Sequence, residues 1–367
     1  MNNRQVMTMT LKEVAEKAGV SISTVSRVIN GKSTKTASPE VQERIFRIAA
    51  ELGYRPNRAA QALKLGDEAV EVLKGRRSIG CIFGRVMSSV DDPFFSRIAK
   101  AVEKEISKHG CVMKYSFSAS EIESEEDLKK LLDEFRLDGA VILGRLNKNF
   151  YRVIRDSYPH VVYSGLNSIS PDFDQVICDG YSAALTAVHY LYTIGHRGIG
   201  YVGEKTNEDR FKGYFDALSE LELEYEKDMV IQTRLSSASG YSAVSRLLAE
   251  GRLNASALFC ANDTTAIGVI KALKDNGLRV PEDVSVIGID DIDISQYMSP
   301  PLTTVRIPLD EMGRAAGRLL MDRLDNGSGL PMKIELPYTL VRRESCREIS
   351  TVDLPMAEKN EEADTRL

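Results

Sequence analysis

The 367-residue sequence lacks the features that mark membrane, secreted and metal-binding proteins. No stretch approaches the roughly 18 uninterrupted apolar residues that a membrane-crossing helix needs. The N-terminal segment is polar and has no cleavage-site pattern of small residues, so we expect no secretory signal and a cytoplasmic protein. The five cysteines are isolated and never form a C-x-x-C pair, which argues against a disulfide framework and against a zinc site.

Acidic residues are outnumbered by basic residues in the first 65 residues but not in the rest of the chain. Residues 1–65 contain 11 Lys and Arg against 5 Asp and Glu, whereas residues 66–367 contain 37 against 48, within a net charge of −5. A basic head on an acidic body is the charge layout of a nucleic-acid-binding module joined to a larger domain, although a basic surface can also be merely solvated. The chain length independently predicts a small folding unit beside one or two larger ones.

Three short helices are predicted in the basic head. Thr10-Leu-Lys-Glu13 fits a capping box, and the apolar spacing that follows predicts a helix that ends at Gly19. After a tight turn, Ser21 is predicted to cap a second helix that runs to about Asn30. A third helix opens with Ser38-Pro39-Glu40. Three short helices around one tight turn predict a helix-turn-helix head.

The second helix has one apolar face and one polar face. Val25, Val28 and Ile29 share the apolar face, which is predicted to be core. The other face carries small polar residues with one Ile and one Arg. Such a face suits the edges of base pairs, because Ser donates or accepts, Ile contacts a thymine methyl, and Arg forks onto guanine or pairs with phosphate. We therefore predict that this helix reads DNA.

The head resembles the DNA-binding head of the lactose/galactose repressor family. The resemblance rests on Thr10-Leu-Lys-Glu-Val-Ala-Glu-Lys-Ala-Gly-Val-Ser21, on Thr24-Val-Ser-Arg-Val-Ile-Asn30 and on Leu52-Gly-Tyr-Arg-Pro-Asn-Arg58. It implies a hinge helix over residues 57–64 whose Leu63 wedges into the minor groove, although an ordinary linker helix is the alternative. The residues predicted to contact DNA are Ser21, Ile22, Ser23, Thr24, Ser26, Arg27, Asn30, Asn57, Arg58 and Leu63.

From residue 78 onward, short apolar runs alternate with helix-length stretches. Predicted strands cover residues 79–83, 112–117, 140–143, 161–163, 176–177, 199–202, 229–231, 257–260 and 284–287. Two successive series of such βαβ units predict an α/β protein with two doubly wound lobes. The resemblance implies the periplasmic-binding-protein architecture. In it, three segments cross between the lobes, the effector lies in the cleft, and a helix near residues 309–324 returns to the first lobe.

The predicted domain limits follow from these patterns. Residues 1–65 form the helix-turn-helix head with its hinge, and residues 78–346 form the two-lobed effector-binding and dimerisation domain. Residues 66–77 form a linker that is longer than the family usually has. Residues 347–367 are rich in Glu, Asp and Lys, so a disordered tail is predicted there.

Effector contacts are predicted where strands end, because ligands of open α/β sheets lie beyond the carboxyl ends of the strands. Arg210, Asn262 and Asp290 follow strands of the second lobe, and the resemblance points to the same three residues. Their side chains can donate to and accept from the hydroxyls of a sugar. Phe94 and Phe95 of the first lobe match a family stretch that lines the effector pocket, although both could be core residues.

Two of the carboxylates beside these candidates receive structural interpretations. Asp263 is predicted to cap the helix over residues 264–276 rather than to contact the ligand. Asp291 is also predicted to be structural, which leaves Asp290 as the better ligand residue of that pair.

An enzyme and a transport protein are the rival interpretations. Gly198-Ile-Gly-Tyr-Val-Gly203 is literally G-x-G-x-x-G, but its glycines lie before and within an apolar run, which disfavours a dehydrogenase. A hydrolase lacks support because Asp263 and Asp290 have no accompanying His or Ser constellation. A free sugar-binding protein would share the fold of the body but would carry a secretion signal and no basic head. We therefore predict neither enzyme activity nor a cofactor.

The predicted function is that of a sequence-specific transcriptional repressor. A homodimer would place two heads on a palindromic operator in double-stranded DNA. A small effector, expected to be a sugar, would close the cleft and weaken the hold on DNA, although some members of the family respond in the opposite sense. No membrane partner is expected.

Overall fold

The computed structural model describes residues 11–21, 24–25, 38, 41, 44–45, 48, 76–84, 92–119, 122–327 and 329–349. The chain divides into two compact units, residues 1–75 and residues 76–367. Most of the described residues belong to the second unit.

The described part of the first unit begins with helix α1, Leu11–Ala18. Gly19 follows it with a φ of 65°, a left-handed conformation that glycine adopts at little cost. The carbonyl of Ser21 accepts from the backbone N–H groups of Thr24 and Val25 at 3.0 and 3.1 Å, as at the start of a helix. Val25 is fully buried. The predicted first helix, its glycine end and the inward side of Val25 are confirmed.

Among its described residues, the second unit contains two six-stranded sheets and eight α-helices. The strands are β1 Ser78–Phe83, β2 Val112–Ser118, β3 Gly139–Leu143, β4 Val161–Gly165, β5 Asp174–Ile177, β6 Ile199–Gly203, β7 Val230–Gln232, β8 Ala257–Cys260, β9 Ser285–Asp290, β10 Thr303–Arg306, β11 Lys333–Glu335 and β12 Thr339–Val341. The helices are α2 Pro93–Ser107, α3 Glu125–Glu134, α4 Lys148–Ser157, α5 Gly180–Thr193, α6 Asp209–Glu220, α7 Ser237–Ala249, α8 Asp263–Asp275 and α9 Leu309–Asn326. Short 3₁₀ helices cover Lys227–Met229 and Asp293–Tyr297.

Each sheet is the middle layer of one lobe. The first has the order β11-β5-β4-β3-β1-β2 and is parallel throughout. The second has the order β12-β10-β9-β8-β6-β7 and is parallel except for the pairing of β10 with β12. Helices α2 and α9 cover one face of the first sheet and α3 and α4 the other, while the second sheet lies between α5 with α6 and α7 with α8. The two predicted doubly wound lobes are confirmed.

Three segments cross between the lobes. Residues 178–179 join β5 to α5, residues 307–308 join β10 to α9, and residues 336–338 join β11 to β12. Helix α9 packs on α2 and over strands β3, β4 and β5. The three crossings and the return of this helix to the first lobe are therefore confirmed.

The prediction missed three strands and made several others too short. Strands β10, β11 and β12 are three or four residues long, and β11 and β12 lie partly exposed at sheet edges. Strands this short carry no readable apolar alternation, and pairing with a neighbouring strand decides whether they form. Strand β9 runs beyond the predicted residues 284–287 and ends with Asp290, so this carboxylate lies on the strand rather than after it.

His196 joins distant parts of the second lobe. Its side chain is 1% exposed, its Nδ1 lies 2.9 Å from Ser256 Oγ, and its Nε2 lies 3.2 Å from the carbonyl oxygen of Arg347. Burial lowers the pKa of His196 to about 4, against the opposing effect of the Arg347 carbonyl. The imidazole is therefore neutral in the folded protein at pH 7.

This lowered pKa predicts a loss of stability in mild acid. Between pH 6.5 and pH 4 the unfolded chain binds a proton at His196 that the folded chain does not bind, so the free energy of unfolding falls by about 2–3 kcal/mol as the pH decreases. Urea unfolding of wild type and H196Q at pH 7 and pH 4.5 measures this contribution as the difference in pH dependence. H109Q, at an exposed histidine, is the matched control and should keep the wild-type dependence. An unchanged pH dependence in H196Q would contradict the assignment.

Candidate functional site

Charged side chains from both lobes meet at the carboxyl ends of the strands. Arg210 lies in the first turn of α6, which follows β6. Its Nε donates to Glu208 Oε1 at 2.7 Å, and its Nη1 donates to the carbonyl oxygen of Ala261 at 2.6 Å. Glu208 Oε2 accepts from Nη2 of Arg145, which follows β3 of the first lobe, at 3.1 Å. One buried carboxylate thus bridges two arginines across the cleft between the lobes.

The charges of this bridge are held out of water. Glu208 is 0% exposed, Arg210 is 5% exposed, and the side chain of Arg145 is 16% exposed. Burial alone would lower the pKa of Arg210, but the charge and hydrogen bond of Glu208 outweigh it and raise the pKa. The guanidinium of Arg210 therefore stays charged and fixed in direction, ready to donate to an acceptor.

Asp290 is the most strained residue of the site. It ends β9 with a φ of 130° and is 2% exposed. Its Oδ1 finds no hydrogen-bond partner among the described residues. Burial, followed by the charge of Asp263, raises the pKa of Asp290 well above its ordinary value, against the charge of Arg210. A buried acceptor without a partner on a strained backbone is the arrangement expected of a ligand-binding group.

Asn262 has both a structural and a ligand-binding capacity. It is the N-cap of α8, because its Oδ1 accepts from the backbone N–H of Thr265 at 2.9 Å. What Asn262 can offer a ligand is therefore the donor side of its amide. Its place two residues after the end of β8 is the one predicted for an effector contact.

The predicted capping role of Asp263 is wrong, because Asn262 holds that position. The Asp263 carboxylate instead accepts from Ile292 N–H at 3.1 Å, Ser295 Oγ at 2.6 Å and Thr304 Oγ1 at 2.5 Å. Burial raises the pKa of Asp263 to about 7, against these three hydrogen bonds. Asp263 therefore fixes the loop that follows Asp290.

Asp291 has the structural role that was predicted for it. Its Oδ2 accepts from Arg306 Nε and its Oδ1 from Arg343 Nη2, both at 2.6 Å. Asp291 is left-handed, with a φ of 55°. The two ion pairs turn its side chain to a neighbouring strand and loop, which leaves Asp290 as the carboxylate at the end of β9.

The two phenylalanines of the first lobe differ in environment. The Oδ1 of Asp92 caps α2 by accepting from the N–H groups of Phe94 and Phe95 at 2.9 and 3.2 Å. Phe94 belongs to the apolar core, which is the alternative that the sequence left open. Phe95 is half-buried and its ring packs on Gly144 at the end of β3. The pocket-lining role of both residues stays a prediction.

Sequence reasoning missed several residues of this site. Ser164 is the second-last residue of β4 and is fully buried. Its Oγ has no hydrogen-bond partner among the described residues. Burial raises the pKa of Asp92, opposed by the N–H groups it caps and by the charge of Arg210 on the other lobe. Ser164 lies one residue before the end of β4 and Arg145 lies two residues after the end of β3, so the rule that found Arg210 could have found both. Asp92 instead precedes α2 as its N-cap. No sequence signal marks Glu208, because one of its partners comes from the other lobe.

The predicted DNA contacts lie almost entirely outside the described residues. Ser21 and Thr24 are the two of the ten that are described, and Ser21 is exposed while Thr24 is half-buried. Ser21 Oγ accepts from the N–H of Thr24 at 3.1 Å and lies 2.8 Å from its Oγ1. The hydroxyl of Ser21 thus serves as the predicted helix cap.

Within the described ranges, no group of three or more His, Cys, Asp and Glu side chains is arranged to hold a metal ion. No helix described there combines the length and the apolar character needed to span a bilayer.

Comparison with known sequences gives matches along almost the whole chain. The profile of bacterial regulatory proteins of the lacI family matches residues 10–57, and that of the periplasmic binding protein-like domain matches residues 188–346. Over 352 residues the chain is 31% identical to the HTH-type transcriptional repressor PurR of Mannheimia succiniciproducens, which covers 93% of this chain and 99% of that repressor.

Solved structures share the fold over the same extent. The complex of the transcriptional regulator CelR with cellobiose is 30% identical, has a TM-score of 0.67, and covers 92% of this chain and 99% of its own. The lac repressor dimer bound to operator and the anti-inducer ONPF is 25% identical, has a TM-score of 0.65, and covers the same shares.

Proposed function

The chain belongs to the LacI family of bacterial regulatory proteins, and from this premise we propose that it is a DNA-binding repressor whose operator affinity is controlled by a sugar held between its two lobes. The observation that carries the sugar site is Asp290, a buried carboxylate with an unpartnered oxygen at the end of β9. Arg210 follows β6 and Asn262 follows β8, the strand that pairs with β9, and both side chains can donate to hydroxyls. The cellobiose complex of a similar regulator supports a sugar in this cleft.

The DNA-binding part of the proposal rests on the head. We assign residues 1–65 to the head and hinge, 66–77 to the linker, 78–346 to the effector domain, and 347–367 to the tail. The first residues of this tail, 347–349, hydrogen-bond to the second lobe. The second helix of the head would enter the major groove with Ile22, Ser23, Ser26 and Arg27, and paired hinge helices would place Leu63 in the minor groove. A homodimer on a palindromic operator fits this arrangement, and the lac repressor dimer on its operator supports it.

Closure of the cleft would couple the two activities. A sugar bound by Arg210 and Asp290 on the second lobe would draw the first lobe toward it, and the changed position of the first lobes would spoil the spacing of the hinges. By linkage, operator DNA must then weaken sugar binding by the same factor. The protein would act in the cytoplasm on chromosomal DNA as a regulator rather than an enzyme.

Binding to the DNA upstream of its own gene tests this function. The purified full chain should bind that DNA specifically, and one sugar of a panel of neutral and acidic mono- and disaccharides should lower the affinity by roughly 5- to 150-fold, the usual range of allosteric coupling. Scrambled DNA of equal length is the control. Specific binding that no sugar changes would reject the sugar effector, and binding that a sugar strengthens would reverse the sense of the response.

A further inference from the structure

The bridge of Arg145, Glu208 and Arg210 across the cleft contains two positive charges and one negative charge. Both oxygens of Glu208 are engaged, Oε1 by Arg210 Nε and Oε2 by Arg145 Nη2. Nε of Arg145 is buried and has no hydrogen-bond partner within residues 76–84, 92–119, 122–327 and 329–349. A buried guanidinium N–H without an acceptor costs free energy unless a ligand supplies the acceptor.

The position of Arg145 is built into the first sheet. Gly84 at the end of β1 donates its N–H to the carbonyl of Leu143 at 2.9 Å. A Cβ on Gly84 would lie 2.2 Å from the carbonyl oxygen of Arg145, so only glycine permits this approach of the two chains. The backbone that carries Arg145 into the cleft is therefore defined by tight packing rather than by a loose loop.

The other carboxyl groups near the bridge balance this charge poorly. Asp92 uses its Oδ1 to cap α2, and Asp290 is held on a strained backbone. Burial raises the pKa of both groups, so both lose their negative charge more readily than ordinary aspartates. The cleft thus combines two permanent cations with one carboxylate, Glu208, whose two oxygens both accept from arginines, and with two carboxyl groups whose negative charge burial disfavours.

We propose that Arg145 is a specificity-determining residue that selects a sugar acid, by donating from the first lobe to the carboxylate of an aldonic or uronic acid whose hydroxyls are held on the second lobe. This assignment rests on the proposed function and narrows its effector class. A carboxylate matches the guanidinium fork and brings the charge that the cleft lacks, whereas a neutral sugar of the same shape brings only hydroxyls. Because Arg145 belongs to the first lobe, the same contact would also stabilise the closed form of the cleft.

The test compares acids with their neutral counterparts on the full chain. Operator release and isothermal titration calorimetry are measured with glucuronate, galacturonate and gluconate, and with glucose, galactose, cellobiose and glucuronamide. Glucuronamide is the sharpest control because it differs from glucuronate by one neutral amide. We expect one acid to bind wild type at least about tenfold more tightly than its neutral counterparts, the worth of one charge-assisted hydrogen bond.

Two variants separate specificity from folding. R145Q should lose at least about tenfold in affinity for the acid and keep specific operator binding. R155Q, at an exposed arginine that pairs with Asp172 at 3.5 Å outside the cleft, is the matched control and should bind the acid like wild type. If R145Q does not fold, the wild-type comparison of the acid with its amide decides.

The outcomes distinguish this assignment from the function on which it rests. Release of operator by a neutral sugar as effectively as by its acid, or unchanged affinity of folded R145Q for the acid, would overturn the assignment and leave the sugar-controlled repressor standing. Release by no sugar of either class would overturn both.

Discussion

Replacing Arg210 with Met will destabilise the second unit by about 3–5 kcal/mol, the usual cost of removing one partner from a buried ion pair. Glu208 would remain 0% exposed and would lose the guanidinium that pairs with its Oε1, although it would keep its contact with Arg145 and the backbone N–H of residue 210. The carbonyl of Ala261 would lose its donor. The sugar response should disappear as well, because the variant lacks the main fixed donor of the second lobe. Urea unfolding and operator release by the active sugar measure the two effects.

Lys212 provides a control two residues along the same helix. Its Nζ lies 2.7 Å from Asp209 Oδ1, but its side chain is exposed, and pairs of this kind are worth about 0–1 kcal/mol. K212M should therefore leave both stability and sugar response nearly unchanged. A loss of less than about 1 kcal/mol in R210M would show that the bridge contributes little to folding.

Replacing Asp290 with Asn will weaken sugar binding by roughly tenfold or more while raising stability by about 1 kcal/mol. Asn keeps the shape of the side chain and tolerates positive φ better than most residues, but its amide replaces one of the two carboxyl oxygens that can accept from a sugar hydroxyl with a donor. The gain in stability arises because the carboxylate is buried and its Oδ1 has no partner among the described residues. Specific operator binding should persist, so the variant would repress without responding to sugar.

Asp291 is the matched comparison for this variant. D291N would weaken the ion pairs with Arg306 and Arg343, so it should lower stability while leaving the sugar response in place. Sugar titrations of operator complexes and urea unfolding of the two variants test this opposite pattern. A destabilised D290N that still responds to sugar would contradict the assignment of Asp290 as a ligand group.

The rule that ligands lie beyond the carboxyl ends of strands selected Arg210, Asn262 and Asp290, and the structure places them after β6, after β8 and at the end of β9. The rule needs only the sequence because parallel strands joined by crossover helices all end at the same side of a sheet. The role of these three residues as effector contacts stays a prediction. The capping rules, by contrast, gave the wrong residue, because they predicted Asp263 as the N-cap of α8 and the N-cap is Asn262. Both Asn262 and Asp263 are good N-cap residues, and the choice depends on where β8 turns into α8.

The partners of Asp263 show why local rules could not recover its role. Ser295 and Thr304 lie about thirty to forty residues further along the chain, and they reach Asp263 because β8, β9 and β10 are neighbours in the second sheet. The same limit applied to β11 and β12, which form through pairing at sheet edges rather than through a pattern of their own.

The sequence by itself determined the family, the helix-turn-helix head, the two α/β lobes and the strands with continuous apolar runs. These features depend on motifs and on periodicity within a few residues, which local physics decides. Only the tertiary structure decided that Glu208 joins Arg145 to Arg210 and that Asp290 keeps an unpartnered oxygen. Those features depend on residues from two lobes that the three crossings of the chain bring together, and no local pattern encodes the distance between them.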